Sequence, residues 1–220
     1  MKELSEYAAA KLLKIKEKKT QVMKFNFSKV HDFPPDITVP GFNNKLEVIK
    51  EAKILGIIVS NDLRWESNTK FLCAKAYSKV WVLRRLKALK MDPLFLLDVY
   101  RKEIRSILEL AVPAWHSGLT IKQSDDLERV QKVSVSIILG ENLPYDLALA
   151  ILELEPLQER RHQLCMKFAQ RTLKSKHSDM FLPRQASYDT RYKQKFTENI
   201  SNTQRCYNSP VNFLLRLLNA

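Results

Sequence analysis

The hydrophobic and polar positions change their period near residue 66. Upstream, Gln21-Val22-Met23-Lys24-Phe25-Asn26-Phe27 alternates apolar and polar side chains, the period of a half-buried strand. Leu46-Glu47-Val48-Ile49 predicts a second short strand, and the run Ile54, Leu55, Ile57, Ile58, Val59 inside AKILGIIVSNDLRW (52–65) reads as a buried strand. Gly56 within that run implies a bulge or the close approach of another backbone, and Ser60-Asn61-Asp62 forms the turn after it. An ordinary core hairpin is the plain reading of the stretch. Before these strands, residues 3–16 predict a helix with Leu4, Tyr7, Leu12 and Ile15 among its apolar positions. Pro34, Pro35 and Pro40 make 32–41 a loop.

Downstream the spacing is helical. Leu72, Ala76, Val80 and Leu83 form one stripe over 68–90. Asp92-Pro93 signals the next helix start, and Leu97, Tyr100, Ile104, Ile107 and Leu108 line that helix, which ends before Val112-Pro113. Over 124–139, Val133 to Ile137 alternates like a strand, while Leu127, Val130, Ile137 and Ile138 keep helical spacing. Early acids at Asp125, Asp126 and Glu128, with Gly140 beyond the end, favour a helix. Further helices are expected around 146–154, from Pro156 to about Lys174, and over Val211 to Leu218. The polar stretch 175–210 reads as loop or partly disordered chain. The fold class is α+β, predominantly α, with a small β start over 1–67 followed by a helical bundle over 68–140 and a helical extension over 141–220.

Charge narrows the partners. The 220 residues carry 37 Lys+Arg against 24 Asp+Glu, a net charge of +13, which points to an anionic partner; nucleic acid and an acidic membrane surface both fit that sign. No apolar run is long enough to span a bilayer, and the order of acids and lysines at the start is wrong for a secretory signal. Three widely spaced cysteines, Cys73, Cys165 and Cys206, argue for a reducing compartment, so the expected location is the nucleus or cytoplasm. His162 and Cys165 have one zinc-like spacing but lack a second close pair. No nucleophile elbow, His-Glu-x-x-His or phosphate-binding glycine loop is present, and no metal or cofactor is assigned.

Some cations share a helical face. Arg160, Lys167, Arg171 and Lys174 project within about 60° of one another at 100° per residue, beside Leu157, Leu164 and Phe168. Arg84 and Arg85, with Lys79 about one turn earlier, form a second cluster. A solvated charged face and a phosphate-tracking face both account for such stripes.

The motif order resembles the C-terminal part of the reverse transcriptase of non-LTR (LINE-type) retrotransposons. The resemblance rests on KKTQVMKF (18–25), AKILGIIVSNDLRW (52–65), IRSILELAVPAWHSGLT (104–120), LERVQKVSVSIILG (127–140) and LQERR (157–161), and extends to RCYNSP (205–210). It implies a palm remnant, a primer-grip hairpin whose backbone at Gly56 lies against the primer, and a helical thumb that holds RNA/DNA hybrid or duplex through phosphates. Lys19 matches the family's lysine near the incoming nucleotide. Lys79, Arg84, Arg85, Arg160, Lys167 and Arg171 become candidate phosphate contacts. The family's Tyr-x-Asp-Asp aspartates, which would hold magnesium, do not occur in the chain, nor do its fingers. The expectation is therefore nucleic-acid binding without polymerase activity, with the missing palm and fingers as further partners. A retroelement-derived protein-interaction module and a functionless relic are the alternatives.

Overall fold

The computed structural model describes residues 6–8, 10–13, 15–16, 19–27, 46–140, 143–181 and 196–220. The protein is α+β and predominantly α. Its contacts divide it into two units, Met1–Arg64 and Trp65–Ala220.

The first unit holds two small sheets. Strand β1 (Gln21–Met23) pairs in parallel with β2 (Glu47–Ile49), and Gln21 Nε2 donates to Glu47 Oε2 at 2.8 Å across the pair. The alternating run thus yields a strand of three residues, shorter than its period predicts. The proline loop 32–41 lies outside the described residues. So does Leu4 of the expected first helix, whose described part is helical at 6–8 and 10 and breaks where Leu12 takes a left-handed φ of 56°. Leu12 and Tyr7 are exposed.

The run read as one buried strand is two. Strands β3 (Glu51–Ile54) and β4 (Ile57–Ser60) are antiparallel and joined by Leu55-Gly56. Both turn residues have positive φ, 48° and 91°, the signs of a type I′ hairpin turn that suits the strand twist. Gly56 is therefore explained by its turn rather than by a strand bulge. Ile54 and Leu55 are exposed, while Ile57 and Ser60 are buried. The Ser60-Asn61-Asp62 turn forms as expected: Ser60 Oγ donates to Arg64 O at 2.7 Å, and Asp62 Oδ1 accepts from Arg64 N at 3.0 Å.

The second unit is helical and begins at Trp65, a buried indole packed so closely on Gly118 that a Cβ there would sit 2.6 Å from its Nε1. Helix α1 (Glu66–Ala88) buries Leu72, Ala76, Val80 and Leu83, the expected stripe. Helix α2 (Pro93–Val99) starts where Asp92 Oδ1 accepts from Leu94 N at 2.7 Å. It runs through a π-helical stretch, Tyr100–Arg105, into α3 (Ser106–Leu108), with Leu97, Tyr100, Ile104, Ile107 and Leu108 buried. A left-handed Ala111 (φ 52°) then turns the chain into α4 (Val112–Trp115) and a 3-10 turn, His116–Gly118. Ala111 is exposed and loses no packing if shortened. Ala111→Gly is expected to raise stability by about 0.5–1 kcal/mol, read as a higher urea midpoint, because glycine adopts this conformation without a Cβ penalty.

Helix α5 (Ile121–Leu139) resolves the ambiguous stretch. Its start is set by a reciprocal cap, with Thr120 N donating to Gln123 Oε1 at 2.8 Å and Gln123 N to Thr120 Oγ1 at 3.3 Å. Asp125 and Asp126 therefore fall beyond its first turn, so they are not the start signal. Gly140 caps the other end with φ 74°. The strand-like alternation yields to helical spacing, and buried Ser134 satisfies its hydroxyl by donating to Val130 O at 2.8 Å. Helices α6 (Tyr145–Ile151), α7 (Leu157–Leu173), α8 (Gln204–Tyr207) and α9 (Pro210–Asn219) follow. Pro156 is the cap of α7, just before its first turn. Within 175–210, Ser178–Met180 is a 3-10 turn and α8 is helical, where loop was expected; 182–195 lie outside the described residues. Helix α1 packs on α5, and α7 packs on α4, α5 and α9. Among the described residues no helix is long and apolar enough to cross a membrane.

Candidate nucleic-acid interface

Helix directions decide where the cations go. Cys73 Sγ approaches Asp126 O at 3.7 Å and Lys87 Nζ donates to Ile138 O at 2.8 Å, so α1 and α5 run parallel. Leu157 N meets Glu128 and Arg161 Nη2 donates to Ser124 Oγ at 2.6 Å, so α7 runs antiparallel to α5. Arg84 and Arg85 thus lie at the C-terminal end of α5, whereas Lys167 and Arg171 continue past its N-terminal end. A 19-residue helix separates the clusters by about 28 Å.

Pairing thins both clusters. Lys79 Nζ donates to Glu103 Oε2 at 2.8 Å, and that hydrogen bond holds the Glu103 carboxyl below its ordinary pKa. Arg160 Nε donates to Glu109 Oε1 at 2.8 Å in a half-buried pair that Arg105 joins at 3.5 Å. The Glu109 hydrogen bond raises the Arg160 pKa. Lys167, Arg171 and Lys174 are exposed and keep one face, as their spacing predicts. Lys19, exposed, and Gly56, in its hairpin turn, belong to the first unit; the other six candidates belong to the second.

Around Arg84 the structure adds aromatic partners that charge alone did not reveal. Tyr77, Trp81 and Arg84 are four and three residues apart and lie within about 60° on one face of α1. Trp81 is 58% exposed, with the Arg85 guanidinium over its ring at 5.4 Å from the centroid. Burial and neighbouring Cys73 push the Tyr77 hydroxyl pKa up, with Arg129 of α5 and Arg84 opposing. Arg129 is itself two-thirds exposed while resting on Asp126 at 3.3 Å. A hydrophobic, a hydrogen-bonding and a cationic surface are thereby side by side. The sequence signal was aromatic residues spaced one turn apart on the non-core face of a basic helix.

The interior of the unit is polar in two places. Gln131, fully buried, accepts from the Tyr100 hydroxyl and donates to Tyr145 Oη at 2.8 Å and Glu155 O at 2.9 Å. Glu128 accepts from the Tyr145 hydroxyl and from Leu157 N, at 2.9 Å through Oε2, capping α7 from outside. The second place is Arg161, also buried, whose Nε donates to His116 Nδ1 at 3.4 Å. His116 and His162 both pack edge-on against Phe213 of α9 and line an open cavity of about 450 Å³ with Pro156, Gln158 and Glu159. Burial first, then Arg161 and His162, push the His116 pKa down to about 4. The Cys165 thiol is pushed up to about 12 by burial, and Cys73 to about 11, so neither is a thiolate ready for chemistry. Among the described residues no group of three or more metal-ligating side chains comes together. Comparison with protein-family models, with curated proteins and with solved structures finds no match to this chain.

Proposed function

We propose that the helical unit holds RNA/DNA hybrid or duplex by its backbone, as the thumb-like part of a non-LTR reverse transcriptase fragment that assigns catalysis to none of its own residues. The observation that carries this reading is the exposed Trp81 with Arg85 over its ring and Arg84 and Tyr77 on the same face. Two arginines one step apart can each neutralise a phosphate, and the flat indole offers a face to a sugar or an unpaired base. The net charge of +13 supplies the long-range attraction. Lys167 and Arg171, about 28 Å away along the α5 axis, are a second anchor for a strand that crosses the bundle. Lys79 and Arg160 contribute less, because each would have to leave a carboxylate first.

Fluorescence anisotropy of a labelled hybrid over a series of salt concentrations tests this. Arg84→Ala/Arg85→Ala is expected to reduce the slope of log K against log salt by about 2, and Trp81→Ala to weaken binding with little change of slope. A folded double variant that binds as the parent does would defeat the proposal. The intramolecular pairing of Lys79 and Arg160, with the separation of the remaining cations, favours a second reading as a protein-interaction module. Absence of hybrid binding from the folded parent at low salt would select it.

A further inference from the structure

The junction between α1 and α2 exposes apolar side chains that the fold does not use. Leu89 is 72% exposed and Leu94 75%, and Met91 and Phe95 are less exposed at 37% and 44%. All four fall within seven residues, on a tight turn held by Met91 N donating to Leu86 O at 3.3 Å and by the Asp92 cap. Single exposed leucines are ordinary, but four large apolar residues grouped at one helix junction mark a surface meant to be covered. Two prominent leucines beside two less exposed apolar side chains suit the apolar face of a docked helix.

We infer that this junction docks an acidic amphipathic helix of a partner protein. Charge selects the occupant. Lys90 lies within the turn and Arg84 and Arg85 one turn before it, all exposed. The nearby carboxylates are already engaged, Asp92 by Leu94 N and Asp98 by Lys102 Nζ at 2.7 Å. A basic rim around an apolar centre is complementary to leucines or phenylalanines set among glutamates and aspartates. A second copy of this chain would bring the same cations and a further +13 of charge, which opposes self-docking. The apolar centre has nothing to offer a phosphate, so this surface is distinct from the Trp81 face even though they share two arginines.

The test uses the full chain and a fluorescent peptide of about 15 residues with Leu or Phe at i, i+3, i+4 and i+7 and Glu or Asp elsewhere. A scrambled peptide of identical composition, vesicles of anionic lipid and the labelled hybrid serve as comparisons. Saturable binding of the patterned peptide is expected, at least about tenfold tighter than the scrambled one, and lost by about tenfold in Leu89→Ser/Leu94→Ser. Because both leucines point to solvent, that variant should melt as the parent does and bind hybrid unchanged, which separates this inference from the nucleic-acid reading. Equal binding of both peptides, retention of peptide binding by the variant, leucine-dependent binding to vesicles alone, or a leucine-dependent dimer in sedimentation would each overturn it.

Discussion

Glu128→Ala is expected to lower the stability of the helical unit by about 3 kcal/mol, a fall in melting temperature of roughly 10 °C. This one carboxylate accepts from Leu157 N at both oxygens and from the Tyr145 hydroxyl, while Gln131 Nε2 reaches it at 3.3 Å. Leu157 is buried, so its N–H has no water to turn to when the carboxylate is gone. The carboxylate also stands at the positive end of α7, whose cap is a proline with no side-chain acceptor. Alanine therefore removes two effects together, a charge-assisted hydrogen bond and an anion that the α5 packing places on that helix start. Glu128→Gln keeps the shape and one acceptor and should cost about half as much. Urea denaturation of the three proteins, followed by circular dichroism, measures both. Equal stability of the alanine variant and the parent would mean that α7 finds its cap elsewhere.

Acidification should destabilise the same unit through His116. In the folded protein this imidazole takes a proton only near pH 4, against about 6.5 when free, because burial and the neighbouring Arg161 oppose a second positive charge. Between those values the unfolded chain binds the extra proton and the folded chain does not. The stability contributed by neutral His116 is thus fully present above about pH 6.5 and is lost as pH falls to about 4. After allowance for partial solvent access the loss is about 2 kcal/mol. His116→Gln retains an acceptor for Arg161 without a titrating ring, so the difference in stability between parent and variant should shrink or reverse across this window. Carboxylates titrate in both proteins and cancel in the difference. An identical pH dependence of the two would show that His116 takes up its proton as readily in the fold as in the unfolded chain. Arg161 gives the physical stake, since a buried guanidinium next to an imidazolium would be an uncompensated pair of like charges.

Glu128 and His116 both act in the interior, where local sequence pattern carries least. Glu128 was visible only as an acid near a helix start, and it does serve a helix start, but that of α7, twenty-nine positions on. His116 and Arg161 were unremarkable in the sequence, forty-five residues apart, and meet because α4 packs on α7. No local pattern carries such a pairing. In the same way Arg160 belonged to a convincing basic stripe by its spacing, and only the approach of Glu109 removes it from the free surface.

What the sequence by itself determined is local. The stripe Leu72, Ala76, Val80, Leu83, the Asp92-Pro93 start and the left-handed Gly140 stop act within a turn or two of chain, so each is legible from neighbours and each forms as read. Where two local preferences compete, a short-range feature decides between them: the Thr120–Gln123 cap settles α5 as a helix, and Leu55-Gly56 makes two strands of an apparent one. Tertiary structure alone decided the rest. The parallel packing of α1 on α5 and the antiparallel return of α7 place two similar basic clusters at opposite ends of the bundle. Helical periodicity specifies which face of a helix is apolar but leaves open which helix covers it and in which direction it runs. That choice is made by the summed burial of the whole core and the pairing of its few polar groups, and it is what sets Trp81, Arg84 and Arg85 apart from Lys167 and Arg171.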